Sequence, residues 1–232
     1  MEQPNQIDSL PLFSCLSQAD RQELAKHAVE IPIHKGQFIF REGDPAEWFH
    51  FVKQGNVKCV QSSPEGREVT LKVLMPGDLF CCEASALAGE SHPGCAQAMG
   101  EGAVVKIPRK AMLSIIQRNP EAAVNIINYL SLRLRESQDN AKAFALDRAE
   151  QRLATVLVNL AQRAGIQEAH GIRLSVRLTH QDLADMAGLT KETTSRILSR
   201  FKKDHLVAGS GKQLVVLELS RLQKMAPRSS AL

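Results

Sequence analysis

The chain of 232 residues has no apolar run long enough to cross a bilayer, and its N-terminus shows no basic segment followed by a hydrophobic one. A cytoplasmic protein without membrane partners is expected. Cysteine is scarce: five residues, an odd number, without the spacing of a disulfide framework, as suits a reducing compartment. A strong overall charge is also missing. The net charge is only +4, but it is unevenly spread. Residues 148–232 carry 14 Lys/Arg against 7 Asp/Glu, a balance of +7, and residues 1–147 carry 15 against 18, a balance of −3. A basic C-terminal part behind a mildly acidic N-terminal part suits a nucleic-acid-binding module joined to something else. The 44% hydrophobic content is that of an ordinary globular protein with room for one large domain or two modest ones.

The most informative stretch is Thr190–Phe201. On a helix at about 100° per residue, Thr194, Ile197, Leu198 and Phe201 fall on one side, which anchors to a core. Glu192, Ser195, Arg196 and Ser199 fall on the other. A carboxylate, hydroxyls and a guanidinium suit the edges of bases in the major groove. Upstream, Thr179 precedes a short helix, His180–Ala187, that ends at Gly188, and Thr190 then caps the next helix. Helix, Gly-containing turn and helix form a helix-turn-helix whose second helix enters DNA. An ordinary amphipathic helix pair in a helical core is the competing reading. Behind it, Leu206–Gly209 and Leu214–Leu217 flank Ser210-Gly211-Lys212 and predict a two-stranded wing with Lys212 at its tip.

Taken in order, residues 1–16 have little pattern, with Pro4 and Pro11 arguing for an irregular arm. Ser17 caps a helix to about His27, with Leu16, Ala19, Leu24 and Ala28 on its apolar side. From Val29 to Pro108 short alternating runs follow one another: Ile31/Ile33, Phe38–Phe40, Trp48–Val52, Val57–Val60, Val69–Leu74, Cys95–Met99 and Ala103–Ile107. Turn residues separate them, among them Lys35-Gly36, Glu42-Gly43-Asp44-Pro45, Gln54-Gly55-Asn56, Pro64-Glu65-Gly66 and Pro76-Gly77-Asp78. Many short strands with glycines at the corners predict an antiparallel barrel or sandwich. A short helix, Arg109–Asn119, follows. Beyond Pro120, the residues Ala123, Ile127, Leu130, Leu134, Ser137, Ala141 and Phe144 are spaced alternately by four and three, a heptad seam. A helix from Glu121 to Leu146 would be ~39 Å long. It either packs on its own domain or pairs with a second copy. A two-fold reader needs its recognition helices roughly 34 Å apart, which favours pairing. A further helix over Arg148–Ala164 turns Leu153, Val156, Leu157 and Leu160 inward, Gly165 ends it, and Leu174–Leu178 alternates as a strand.

The punctuation Lys35-Gly36, Phe40, Glu42-Gly43-Asp44, Gly55-Asn56-Val57-Lys58, Gly66-Arg67-Glu68 and Pro76-Gly77-Asp78-Leu79 resembles the cyclic-nucleotide-binding β-roll. With the C-terminal helix-turn-helix, the chain resembles the CRP/FNR superfamily of bacterial transcription regulators over nearly its whole length. The resemblance implies an α+β fold: an N-terminal antiparallel β-roll sensor over residues 1–119, a long dimerisation helix and hinge over 120–146, and a C-terminal winged helix-turn-helix DNA-binding domain over 147–232. Ile127, Leu130, Leu134, Ser137, Ala141 and Phe144 become the dimer interface. The partners implied are double-stranded DNA, a second copy of the chain and RNA polymerase.

Glu192, Ser195 and Arg196 match a Glu-x-x-Ser-Arg motif typical of the FNR-like branch, and are expected to read bases. An Arg fork suits guanine and a Glu accepts from cytosine N4, so Glu192 and Arg196 can read opposite strands around one G·C step. An inverted repeat with half-sites like TTGA, rather than TGTGA, is expected. Thr179, His180, Lys191, Arg200, Lys202, Lys203 and Lys212 are candidate phosphate contacts.

The signal is less legible. Cyclic-AMP binders of the superfamily use an Arg-Ser pair to hold the cyclic phosphate. Here no Arg occurs between Arg67 and Arg109, so tight cyclic-AMP binding is not expected. The arm's single Cys15 does not supply the cysteine cluster of an FNR-type iron–sulfur centre. Phe80-Cys81 resembles the haem-dependent, carbon-monoxide-sensing branch, where the Cys ligates haem. That branch's nearby His is replaced by Glu83, leaving His92 as an alternative ligand, although a His in a loop is usually solvated. Cys81, Cys82 and Cys95 also suggest a thiol switch, or simply small buried residues. An enzyme with a Cys nucleophile and His92 lacks a third, base-orienting group.

Overall fold

The computed structural model describes residues 7, 10–62, 68–80, 82–209 and 213–226. The chain packs as two units, Met1–Arg133 and Leu134–Leu232, and each is taken by itself.

In the first unit α1 (Gln18–His27) begins where the Ser17 hydroxyl accepts from the Asp20 N–H. Strands β1 (Val29–Ile33), β2 (Phe38–Phe40), β3 (Trp48–Gln54), β4 (Val57–Ser62), β5 (Glu68–Leu74) and β6 (Leu79–Phe80) follow, then a one-turn helix α2 (Cys82–Ser85) and strands β7 (Cys95–Ala98) and β8 (Gly102–Pro108). They form two antiparallel four-stranded sheets, in the orders β1-β8-β3-β6 and β2-β7-β4-β5. The chain reverses at glycines with positive φ, Gly55 at 78° and Gly77 at 91°, a conformation that costs glycine little. At Gly55 no other residue fits, since a Cβ would lie 2.6 Å from the Glu101 carbonyl oxygen. Two cores result. Inside the roll, Ile33, Phe40, Val52, Val57, Leu74, Phe80, Ala96 and Val104 pack together. On the outer face of the first sheet, Phe49, Phe51, Val105 and Ile107 meet Leu24 of α1, Met112 and Ile115 of α3 (Arg109–Arg118), and Ala122. Strand β3 lies between both cores, which explains its nearly unbroken apolar run Trp48–Val52.

Two details differ from the sequence reading. The arm is not patternless: Ile7, Leu10, Phe13 and Leu16 are all buried in the outer core, joined by i to i+3 backbone hydrogen bonds of 3.0 Å. Ala19, placed on the apolar side of α1, is exposed.

Helix α4 (Pro120–Leu146) is continuous over 27 residues. Within the first unit Tyr129 donates to the Leu79 carbonyl at 2.5 Å, and Arg133 donates to Asp78 Oδ1 at 2.5 Å.

The second unit holds α5 (Ala149–Ala164), a sheet in the order β11-β12-β10-β9, α6 (His180–Ala187), α7 (Lys191–Lys203) and α8 (Leu219–Met225). Its strands are β9 (Gly165–Glu168), β10 (Gly171–Leu174), β11 (Val207–Ala208) and β12 (Val215–Val216). The strand expected at Leu174–Leu178 lies earlier: the chain leaves α5 at Gly165 straight into β9 and returns as β10. Backbone pairing to β9 and β12 decides this against the side-chain alternation further on. Val156 of α5 is half-buried, and Ala154, Val158, Ala161 and Ala164 complete its buried side. Among the described residues no helix is long and apolar enough to cross a membrane.

Candidate nucleic-acid interface

Helix α6 starts at a reciprocal cap. The Asp182 N–H donates to Thr179 Oγ1 at 3.1 Å, and the Thr179 N–H donates back to Asp182 Oδ2 at 2.8 Å. It ends at Gly188 in the left-handed conformation, φ 60° and ψ 44°. Thr190 then caps α7, accepting from the Thr193 N–H at 3.2 Å. Caps at both ends of so short a helix fix where α7 begins, and hence which of its residues face out.

Thr194, Ile197, Leu198 and Phe201 of α7 are buried, together with Leu183, Ala184 and Ala187 of α6. Glu192, Arg196 and Ser199 are exposed on the opposite side. Ser195 is half-buried, and its Oγ lies 2.7 Å from His180 Nδ1. A base reader and a phosphate candidate of the sequence analysis are thus hydrogen-bonded to each other, across 15 residues of chain. Of the other phosphate candidates, Lys191, Lys202 and Lys203 are exposed. Arg200 is exposed and engaged by Glu150 of α5, and the Thr179 hydroxyl donates to Asp182 Oδ2 at 2.6 Å, so both already have partners within the unit. Lys212 lies outside the described residues; the strands on either side of it, β11 and β12, pair antiparallel as a wing does.

Along α4 the seam residues are solvent-facing: Ile127 is 59% exposed, Leu130 41% and Leu134 60%, and Ser137 and Ala141 are exposed as well. Phe144 is 47% exposed as well, but it also has a contact within the second unit. Its ring packs against Gly188, where an added Cβ would lie 2.6 Å from it, and Arg152 donates to the Gly188 carbonyl at 3.4 Å.

In the roll, the described sensor candidates have different surroundings, although the Glu83 carboxylate acts on both Cys82 and His92. Cys81 lies outside the described residues. Cys82 is buried in the outer core, and burial with the Glu83 carboxylate beside it pushes its thiol up to about 11. Burial and the neighbouring carboxylate thus disfavour its thiolate form. Glu83 is exposed and pairs with Lys72 at 3.7 Å. Cys95, half-buried at the start of β7, accepts from the Glu42 N–H at 3.4 Å. Cys82 and Cys95 thus sit in different parts of the roll. His92 is not a solvated loop residue: it is 2% exposed and stacks on Phe40 with ring centroids 3.6 Å apart. Sequence reasoning missed its partner His50, on the inward face of β3, whose ring lies 5.9 Å from that of His92. Burial, with the His92 and Lys106 charges, lowers His50 to about 3, and burial lowers His92 as well. Among the described residues, no three His, Cys, Asp or Glu side chains gather as a metal centre requires.

The chain matches the cyclic nucleotide-binding domain family over residues 30–119 and the Crp-like helix-turn-helix domain family over residues 151–225. A CRP-like cAMP-activated global transcriptional regulator of Mycobacterium tuberculosis is 29% identical over 203 residues, 88% of this chain and 90% of that protein. The chain belongs to the CRP/FNR superfamily. The fumarate and nitrate reduction regulatory protein of Vibrio cholerae is also 29% identical, over 84% of this chain and 77% of that one. Among solved structures of the superfamily, FixK2 from Bradyrhizobium japonicum superposes with a TM-score of 0.77 at 26% identity, covering 87% of this chain and 98% of that chain. The protein is a CRP/FNR-type transcription regulator, with a DNA-binding helix-turn-helix behind a nucleotide-binding-like roll.

Proposed function

We propose that the protein acts as a homodimer that reads an inverted repeat with TTGA-like half-sites in response to a signal received in its β-roll. The observation that carries this reading is the face of α7. Glu192 and Arg196 stand one helical turn apart, both exposed, with their helix anchored by four buried residues behind them. Arg196 donates to guanine O6 and N7 of one strand and Glu192 accepts from cytosine N4 of the other. Lys191, Lys202 and Lys203 supply phosphate contacts that hold the helix in register. The exposed seam Ile127, Leu130 and Leu134 supports pairing of α4 with its copy, which sets two reading helices on one face of the duplex. Functionally we divide the chain into a sensor (1–119), a dimerisation helix (120–146) and a reader (147–232).

Selection from random duplexes tests the reading. It predicts recovery of an inverted repeat whose arms carry TTGA. Recovery of no palindrome, or of one lacking the GA/TC core, contradicts it.

The signal we infer for the roll is a redox, gas or small-molecule one rather than cyclic AMP. In the described residues near the α2 segment, the Arg109 guanidinium donates to the Ala86 carbonyl at 3.3 Å and Arg133 is paired with Asp78. A cyclic phosphate would need a cation that these do not offer. Calorimetric titration with micromolar cyclic AMP is expected to release no binding heat.

A further inference from the structure

The contact between His180 and Ser195 joins the part of the reader that meets phosphate to the part that meets bases. His180 is the first residue of α6, next to its capped N-terminus, and Ser195 lies on the second turn of α7, between Glu192 and Arg196. The 2.7 Å separation is a full hydrogen bond. Which of the two groups donates depends on the tautomer of the ring. A serine hydroxyl has one proton to give and two lone pairs to offer. A neutral imidazole has one nitrogen that donates and one that accepts, and fixing either fixes the other.

We propose that His180 is a positioning residue that sets which way the Ser195 hydroxyl points when the protein is on DNA. This rests on the reading of α7 as the recognition helix. When His180 Nε2 carries the ring proton and donates it to a phosphate oxygen, Nδ1 is the acceptor. Ser195 must then turn its own proton onto Nδ1. Its oxygen faces the groove as an acceptor only, and recognises an amino group: adenine N6 or cytosine N4. A thymine O4 or guanine O6 at that pair meets lone pairs instead of a donor. Docking on the backbone thereby decides the polarity of a base contact one helix away. A lone serine at this position, free to rotate, accepts from one base and donates to another, and so discriminates poorly.

The test compares wild type, His180→Ala, His180→Asn and Ser195→Ala, with the double variant His180→Ala/Ser195→Ala. Each is titrated on a preferred duplex and on every single-base-pair variant of one arm. In wild type, one base pair carrying an outward amino group is preferred by about 2- to 12-fold, the range of a single net hydrogen bond. Ser195→Ala and His180→Ala both lose the preference at that same pair, the double variant loses nothing more there, and His180→Asn restores it through its side-chain carbonyl. Thermal melts of each variant exclude loss of folding as the cause. Nitrogen-15 chemical shifts of the His180 ring, which separate the two tautomers, report a protonated Nε2 and bare Nδ1 in the complex. Two results overturn the proposal: a loss in His180→Ala that is equal on all duplexes, as a mere phosphate contact gives, or a bare Nε2 on DNA. Wild type binding all duplexes alike overturns the recognition-helix reading itself and this proposal with it.

Discussion

The ring of Phe144, near the end of α4, lies over Gly188, the left-handed residue between α6 and α7, so closely that a Cβ there would sit 2.6 Å from it. Phe144, a member of the heptad seam and 47% exposed, also lays its ring on the helix-turn-helix turn. The end of α4 and the turn that precedes the reading helix are thus in direct contact within the second unit. Arg152 holds the same turn through the Gly188 carbonyl.

Replacement of Gly188 by Ala is therefore expected to cost the second unit about 1–2 kcal/mol for the left-handed backbone, and more for the displaced ring. The cost should be smaller in a Phe144→Ala background, by a coupling of about 0.5 kcal/mol or more. Chemical denaturation of the four proteins in the cycle measures it. Strict additivity would mean that the ring gives way freely.

Acid should weaken the roll through His50. In the unfolded chain this histidine protonates near 6.5, whereas in the roll it stays neutral to about 3. Between these values the unfolded state binds the extra proton, so the stability present above pH 6.5 is lost as the pH falls. The slope from one such group is about 1.4 kcal/mol per pH unit. His92, lowered by burial too, acts in the same sense. Trp48, the single tryptophan and the neighbour of His50 in β3, reports roll unfolding. A His50→Phe variant is expected to show a flatter dependence between pH 6 and pH 4; an unchanged slope would remove His50 from the account.

Arg196 and Lys202 should fail in different ways. Arg196→Ala is expected to lose about 1–3 kcal/mol of discrimination at one G·C pair. Lys202→Ala should weaken binding to all duplexes alike and lower the salt slope by about 1. Mobility shifts at several salt concentrations, on matched and mutated sites, separate the two. Identical profiles for both variants would contradict the assignment of roles.

What the sequence disclosed followed the range of the interaction that decided each feature. The anchor side of α7 was readable because a helix repeats every few residues, and Thr194, Ile197, Leu198 and Phe201 are all buried. The caps Ser17 and Thr190 were readable because capping is decided within a single turn of chain. The arm was not: Ile7, Leu10, Phe13 and Leu16 recur every third residue, a period that matches neither a strand nor a long helix, and only the outer core explains it. Strand β10 was shifted because its place depends on pairing with β9 and β12 rather than on its own alternation. The tilted His50–His92 ring pair and the His180–Ser195 bond join residues far apart in the chain, and nothing local marks them. His92 was singled out, but as a loop residue, because its burial is decided by Phe40.

The central claim is that two copies of this chain read one inverted repeat. Sedimentation of the protein with a duplex carrying paired TTGA arms one helical turn apart, beside a duplex with a single arm, tests it most directly. The account predicts two protomers bound together on the paired site, much weaker binding to the single arm, and loss of the paired complex in Leu134→Glu, whose charge falls on the exposed seam. One protomer bound per arm, independently and with equal affinity on both duplexes, would contradict it.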